Sequence, residues 1–92
     1  LTVRKTIHIK VSGKVQGVFY RQGTLQKAKE LHVGGEVWNN ADDTVGILAT
    51  GEEEALLQLT DWCSEGPSRA QVHSVEVTDQ PLQEFAGFSI RR

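Results

Sequence analysis

Ninety-two residues, 38% of them hydrophobic, leave room for one small domain, and a core of that size folds without metal or disulfide support. Ten basic against twelve acidic side chains give a formal charge of −2 with no basic run, which excludes the electrostatic footprint of a general nucleic-acid binder. Apolar stretches of only two or three residues exclude a membrane-spanning helix.

The first residues, Leu1-Thr2-Val3-Arg4-Lys5, lack the apolar segment of a signal peptide. From Ile7 the chain alternates: Ile7, Ile9 and Val11 against His8, Lys10 and Ser12, the two-residue period of a half-buried strand. The pattern stops at Gly13. Gln22–Leu31 then has helix-forming composition, with Thr24, Leu25, Ala28 and Leu31 close to one face, and Gly34-Gly35 is expected to end that helix. A second strand is expected over Glu36–Asn39 and a third over Thr44–Thr50, joined by the turn formers Asn40-Ala41-Asp42-Asp43.

The second helix carries the strongest pattern. Thr50 and Glu53 have capping-box spacing, and Glu52, Glu53 and Glu54 suit the positive end of a helix dipole. Ala55, Leu56, Leu59, Trp62 and Cys63 form one apolar stripe that Gly66-Pro67 closes. Trp62 reads as a core anchor. Cys63, the single cysteine, reads as a packed thiol that leaves no internal disulfide. That cysteine usage fits a reducing compartment, and a soluble cytoplasmic chain is expected. Val72, Val75 and Val77 mark a strand with an irregular start, and Phe88 with Ile90 a short final one. His8, His32 and His73 are scattered and no pair has metal-ligand spacing, so no metal site is expected.

The resulting order, strand, helix, strand, strand, helix, strand, predicts an α+β fold: a ferredoxin-like βαββαβ sandwich. Its sheet is mainly antiparallel, with two helices on one face and a short extra C-terminal strand. No linker interrupts the chain, and residues 1–92 read as a single domain.

The chemistry is concentrated where the first strand turns into the first helix, Gly13-Lys14-Val15-Gln16-Gly17-Val18-Phe19-Tyr20-Arg21. Two glycines permit backbone angles that let successive N–H groups converge into an anion nest. The loop feeds a helix N-terminus, where unpaired N–H groups and the dipole favour phosphate. Arg21 stands at the helix entrance, and a guanidinium holds two phosphate oxygens at once. The spacing is not that of a Walker loop, which argues against nucleotide hydrolysis of that type. In a βαβ unit the two strands are parallel, so Asn39, at the end of the second, shares a sheet edge with the loop. With the third strand between them, the separation is roughly 10 Å. An amide there could orient a water. From the residues alone, Asn39 reads equally well as a polar residue opening a hairpin.

The run Gly13–Arg21 resembles the acylphosphatase loop G-x-V-Q-G-V-x-[FY]-R. Gly35, Val37, Asn39, Val45 and Gly51 follow the second pattern of that family in register. Gly66-Pro67, Ala70-Gln71-Val72 and Phe88-Ser89-Ile90-Arg91 are also similar to family features, so the likeness spans essentially the whole chain. The resemblance implies an enzyme that hydrolyses acyl phosphates to a carboxylate and inorganic phosphate, without metal or organic cofactor. It assigns Arg21 and the backbone N–H groups of Val15, Gln16, Gly17, Val18, Phe19 and Tyr20 to the phosphoryl group, and Asn39 to the attacking water. The expected partner is a small-molecule acyl phosphate, with neither nucleic acid nor membrane, and the expected state is a monomer. Glu36, Trp38 and Asp43 depart from the pattern, which usually has an aromatic, a basic or small residue and a glycine there. Those departures bear on the geometry of the hairpin and on substrate preference.

Two other readings stand beside this one. Acylphosphatase-like domains also occur inside larger carbamoyl-transfer maturation proteins, so the chain could be a binding module. An RNA-binding sheet of the same architecture would need aromatics on its central strands, where this chain offers Ile7, His8 and Ile9, and Val45, Gly46 and Ile47.

Overall fold

The computed structural model describes residues 3–92; the reading of Leu1 and Thr2 lies outside them. Its elements are β1 (Arg4–Lys14), α1 (Tyr20–Glu30), β2 (Gly34–Asn39), β3 (Val45–Glu52), α2 (Glu53–Glu65), β4 (Gln71–Gln80) and β5 (Phe88–Ile90). All five strands join one sheet in the order β4-β1-β3-β2-β5. β1 lies antiparallel to β3 and β4, and β3 antiparallel to β2. Among the described residues, only β2 and β5 pair in parallel. α1 packs against β2 and β5, α2 against β1, β3 and β4, and the helices touch each other. This is the expected ferredoxin-like sandwich with its extra C-terminal strand.

Alternation decides which side of the sheet meets the helices. Ile7, Ile9 and Val11 of β1, Val37 of β2, and Ile47 and Ala49 of β3 are buried, and they meet Ala28 of α1 with Leu56, Leu59 and Cys63 of α2. A slip of one residue in register would turn the whole apolar set to solvent. Cys63 is fully buried, and burial pushes its thiol up to about 12, which makes it a poor nucleophile at neutral pH. Trp62 is partly buried, its ring centroid 5.4 Å from that of Tyr20. Both residues pack as their place on the stripe suggests.

Two expected boundaries are corrected. Gly34 and Gly35 do not end α1; they open β2. The chain leaves the helix through His32, which takes the left-handed conformation (φ 58°) that a helix exit needs and that histidine tolerates better than most residues. Thr50 is not the cap of α2 either. It lies within β3 opposite Thr6, and the two buried hydroxyls are 2.6 Å apart. The Gln83 N–H donates to the Thr6 hydroxyl at 2.9 Å, and the Thr50 hydroxyl donates to the Gln83 carbonyl at 2.6 Å. A tertiary partner thus outcompetes the local cap. The N-cap of α2 is Glu52, without a side-chain cap bond, while Glu53 and Glu54 occupy the first turn as expected. The irregular start foreseen for β4 is a register shift against β1 between Ser12 and Gly13.

Candidate active site

The loop between β1 and α1 owes its path to three residues with positive φ. Gly13 (φ 125°) passes so close to β4 that a Cβ would lie 2.2 Å from the Gln71 carbonyl oxygen. Gly17 turns at φ 72°, in open space, so only its conformation demands glycine. Phe19, the N-cap of α1, is left-handed at φ 65° and ψ 23°, which costs a side-chain-bearing residue about 1–2 kcal/mol. Around these turns Val15, Val18 and Tyr20 are buried, so three side chains anchor the loop to the core. Among the described residues, none of the N–H groups of Val15, Gln16, Gly17, Val18, Phe19 or Tyr20 donates to a backbone or side-chain acceptor outside a regular element. Six such groups in sequence are available to an anion.

Tyr20 fixes the inner end of the loop. Its hydroxyl donates to the Cys63 carbonyl at 2.8 Å, in the last turn of α2, and burial raises the phenol well above its ordinary value. Tyr20 is therefore neutral throughout the physiological range, and its side chain tethers the two helices.

Sheet register carries Asn39 to the loop. Asn39 pairs with Val45 and Val45 with Val11, so Asn39 ends β2 two strands away from the last part of β1. The expected placement of β3 between them holds. Asn39 is exposed, and among the described residues its side-chain amide makes no hydrogen bond to protein. Its neighbour differs: the Asn40 amide donates to the Thr44 hydroxyl at 3.0 Å and accepts from the Trp38 indole at 2.8 Å. Of the two adjacent amides, Asn39 is the one left free.

Gln16 ties the two halves together. Its amide nitrogen donates to the carbonyls of Asn40 and Thr44, both at 2.9 Å, so both of its N–H bonds link the loop to the β2–β3 hairpin. The departures from the family pattern also find their places in this hairpin. Asp43 adopts φ 70°, the glycine-type conformation, and the turn retains its Asn40 N–H to Thr44 carbonyl bond at 2.8 Å. The Trp38 indole lies on Gly46, where a Cβ would come within 2.6 Å of it. On its other sides are His8, with ring centroids 5.9 Å apart, and the Arg91 guanidinium, 4.1 Å from the ring centroid. Glu36 pairs with the same Arg91 at 3.4 Å. A Gln16→Leu exchange, which keeps the volume and removes both bonds, is expected to destabilise the protein by about 1–2 kcal/mol. If the tether holds the halves in register, the same variant lowers kcat/KM about tenfold, measured by thermal melts and by acyl phosphate hydrolysis.

The loop, Arg21 and Asn39 open onto one cleft of about 260 Å³, lined by Val15, Gly17, Phe19, Tyr20, Arg21 and Asn39 together with Gln22, Ile90 and Arg92. A second cleft adjoins it and is bounded by Arg21, Asn39, Trp38, Arg91 and Arg92. Of the residues expected at the site, Gln16 and Val18 lie off this lining. Gln16 serves as the tether, and Val18 is buried. Sequence reasoning missed Ile90, Arg91 and Arg92. They reach the site because β5 pairs with β2, Ile90 opposite Val37, and the Arg91 N–H donates to the Val37 carbonyl at 2.8 Å. A terminal strand assigned to that edge would have flagged them. Three guanidiniums gather around the clefts of a chain whose net charge is −2. Arg91 is engaged by Glu36, whereas Arg21 forms no ion pair among the described residues. The local field therefore favours an anion. No group of three or more metal-ligating side chains occurs among the described residues.

Fold and cleft together define a ferredoxin-like α+β domain with an anion-attracting loop at one sheet edge. Residues 7–90 match the Acylphosphatase family. An acylphosphatase of Marinobacter nauticus is 51% identical over 82 residues, covering 88% of this chain and 89% of that protein. The structure of an acylphosphatase from Coxiella burnetii is similar, with a TM-score of 0.93 at 39% identity, over 96% of this chain and 93% of that one. A full-length HypF in its phosphate- and nucleotide-bound form is also similar, with a TM-score of 0.93 at 25% identity, over 100% of this chain and 12% of that one. The chain belongs to the acylphosphatase family.

Proposed function

We propose that this acylphosphatase hydrolyses its acyl phosphate by holding the phosphoryl group on Arg21 and the N–H groups of residues 15–20, with Asn39 orienting the attacking water. The observation that carries this reading is the shared cleft, bordered by Val15, Gly17, Phe19 and Tyr20 of the loop, by the Arg21 guanidinium and by the Asn39 amide, the last two without an ion-pair or hydrogen-bond partner among the described residues. The water oxygen bonds to phosphorus as the bond between phosphorus and the bridging acyl oxygen breaks. That oxygen leaves as a carboxylate, and the water's proton passes to a phosphoryl oxygen, so no protein base is required. The transition state spreads negative charge over oxygens that the loop and Arg21 already face, so positioning and charge stabilisation supply the catalysis.

We further read the protein as a single-domain cytoplasmic monomer. Its one cysteine is buried and unpaired, as suits a reducing compartment, and no helix is long and apolar enough to cross a membrane among the described residues. The likeness to HypF, of which this chain matches 12%, favours one rival: the same domain serving as a phosphate-binding module within a longer protein. The test is hydrolysis of benzoyl phosphate by the purified protein without added metal. Steady turnover is expected; competitive binding of inorganic phosphate with no turnover would favour the module.

A further inference from the structure

We infer that the ring of Phe19 is an apolar lip that receives the acyl portion of the substrate, so that this enzyme prefers acyl phosphates with aromatic or extended apolar acyl groups. The inference rests on the acyl phosphate reading above and adds to it the side of the cleft along which the leaving group lies.

Phe19 is 62% exposed although its neighbours Val18 and Tyr20 are 4% and 1% exposed. Its burial is thus refused locally: the two residues that flank it fill the core, and the phenyl ring stands at the surface. The residue also holds a left-handed conformation (φ 65°) that glycine or asparagine would adopt with less strain. Nothing in the helix start requires a ring there, since the Phe19 contribution to α1 is its carbonyl, which accepts from the Gly23 N–H at 3.0 Å. A left-handed conformation at a side-chain-bearing residue costs stability, and such backbone outliers point to function when they border a site. Phe19 borders this one, lining the cleft with Arg21 and Asn39.

Chain connectivity sets what the ring can reach. The Phe19 N–H belongs to the run proposed to hold the phosphoryl group, so its ring starts one residue's reach from phosphorus. The acyl carbon of the substrate is separated from phosphorus by a single oxygen. A group extending from that carbon over Phe19 meets a hydrocarbon face, whereas Arg92 in the same cleft and Arg91 in the adjoining one present charged surface. An aromatic acyl group stacked on Phe19 gains an aromatic pair contact, and an acetyl group is too short to do so.

The test compares acetyl, butanoyl and benzoyl phosphates. In the wild type KM is expected to fall along this series while kcat changes less. Phe19→Asn removes the ring but keeps a residue that tolerates the left-handed conformation. It is expected to reduce the ratio of kcat/KM for benzoyl over acetyl phosphate about fivefold, mostly through KM, with a Tm equal to or above that of the wild type. Phe19→Tyr is expected to keep the wild-type ratio. A flat KM series in the wild type, or an Asn variant whose benzoyl-to-acetyl ratio is unchanged, overturns the role of Phe19 and leaves the hydrolysis itself standing. A wild type that turns over none of the three substrates overturns both readings.

Discussion

Arg21→Gln is expected to lower kcat/KM for benzoyl phosphate by about a thousandfold or more, the scale of losing a guanidinium that stabilises a transferring phosphoryl group. Glutamine can still donate hydrogen bonds, but it carries no charge and cannot grip two oxygens as a planar fork. Inorganic phosphate, as a competitive inhibitor, should weaken in parallel, because on the proposed mechanism the same contacts hold product and substrate. Stability should change by no more than about 0.5 kcal/mol, since Arg21 is only partly buried and forms no ion pair among the described residues. A variant that keeps wild-type turnover would remove Arg21 from the mechanism.

On the proposed mechanism, Asn39→Ala separates water orientation from phosphate binding. Its kcat is expected to fall about 10²- to 10³-fold, as when one preorganised polar group is lost from a transition state. Inhibition by inorganic phosphate should stay close to that of the wild type, because Arg21 and the loop N–H groups are untouched. The exposed Asn39 amide supports no other hydrogen bond among the described residues, so a large loss of stability is not expected. If phosphate binding collapsed together with kcat, Asn39 would be a binding group and the water would need another holder. The contrast between the two variants is thus sharper than either alone: Arg21→Gln moves both readouts, Asn39→Ala only one.

Asn40 makes the choice of Asn39 concrete. The two are identical in chemistry and adjacent in sequence, and no local pattern separates them as candidates. The Trp38 indole and the Thr44 hydroxyl occupy the Asn40 amide at 2.8 and 3.0 Å, which removes it from consideration. Trp38, read in the sequence as a departure from the family pattern, is therefore part of what distinguishes the free amide from the tied one. Its own position depends on Gly46, on the neighbouring strand, being without a side chain.

The local signals in this chain are those of period and special backbone conformation. Alternation in β1, the apolar stripe of α2 and the Gly13–Arg21 loop were legible because each is written in neighbouring residues. Together they specify the element order, the ferredoxin-like fold and half of the proposed site. The family resemblance of the loop supplied the chemistry. Features that misled were also local: Gly34-Gly35 resembled a helix stop, and Thr50 with Glu53 resembled a capping box. In each case a partner distant in sequence took the residue instead, the strand β3 for the glycines and the Thr6–Gln83 hydroxyl network for Thr50. Hydrogen-bond competition is settled by whichever donor and acceptor the fold brings within 3 Å, and spacing along the chain does not contain that information.

By itself, then, the sequence determined the loop at Gly13–Arg21, because glycine angles, a helix N-terminus and an arginine at its entrance are properties of consecutive residues. It also determined that β1 and β2 end at one edge, since a βαβ unit makes its strands parallel. Only the tertiary structure decided that Gln16 joins that loop to the hairpin, that Asn39 and not Asn40 is free among the described residues, and that Arg91, Arg92 and Ile90 border the clefts. Each of those facts depends on the pairing of strands far apart in the chain, and pairing is fixed by the burial of a whole sheet face rather than by any residue's neighbours.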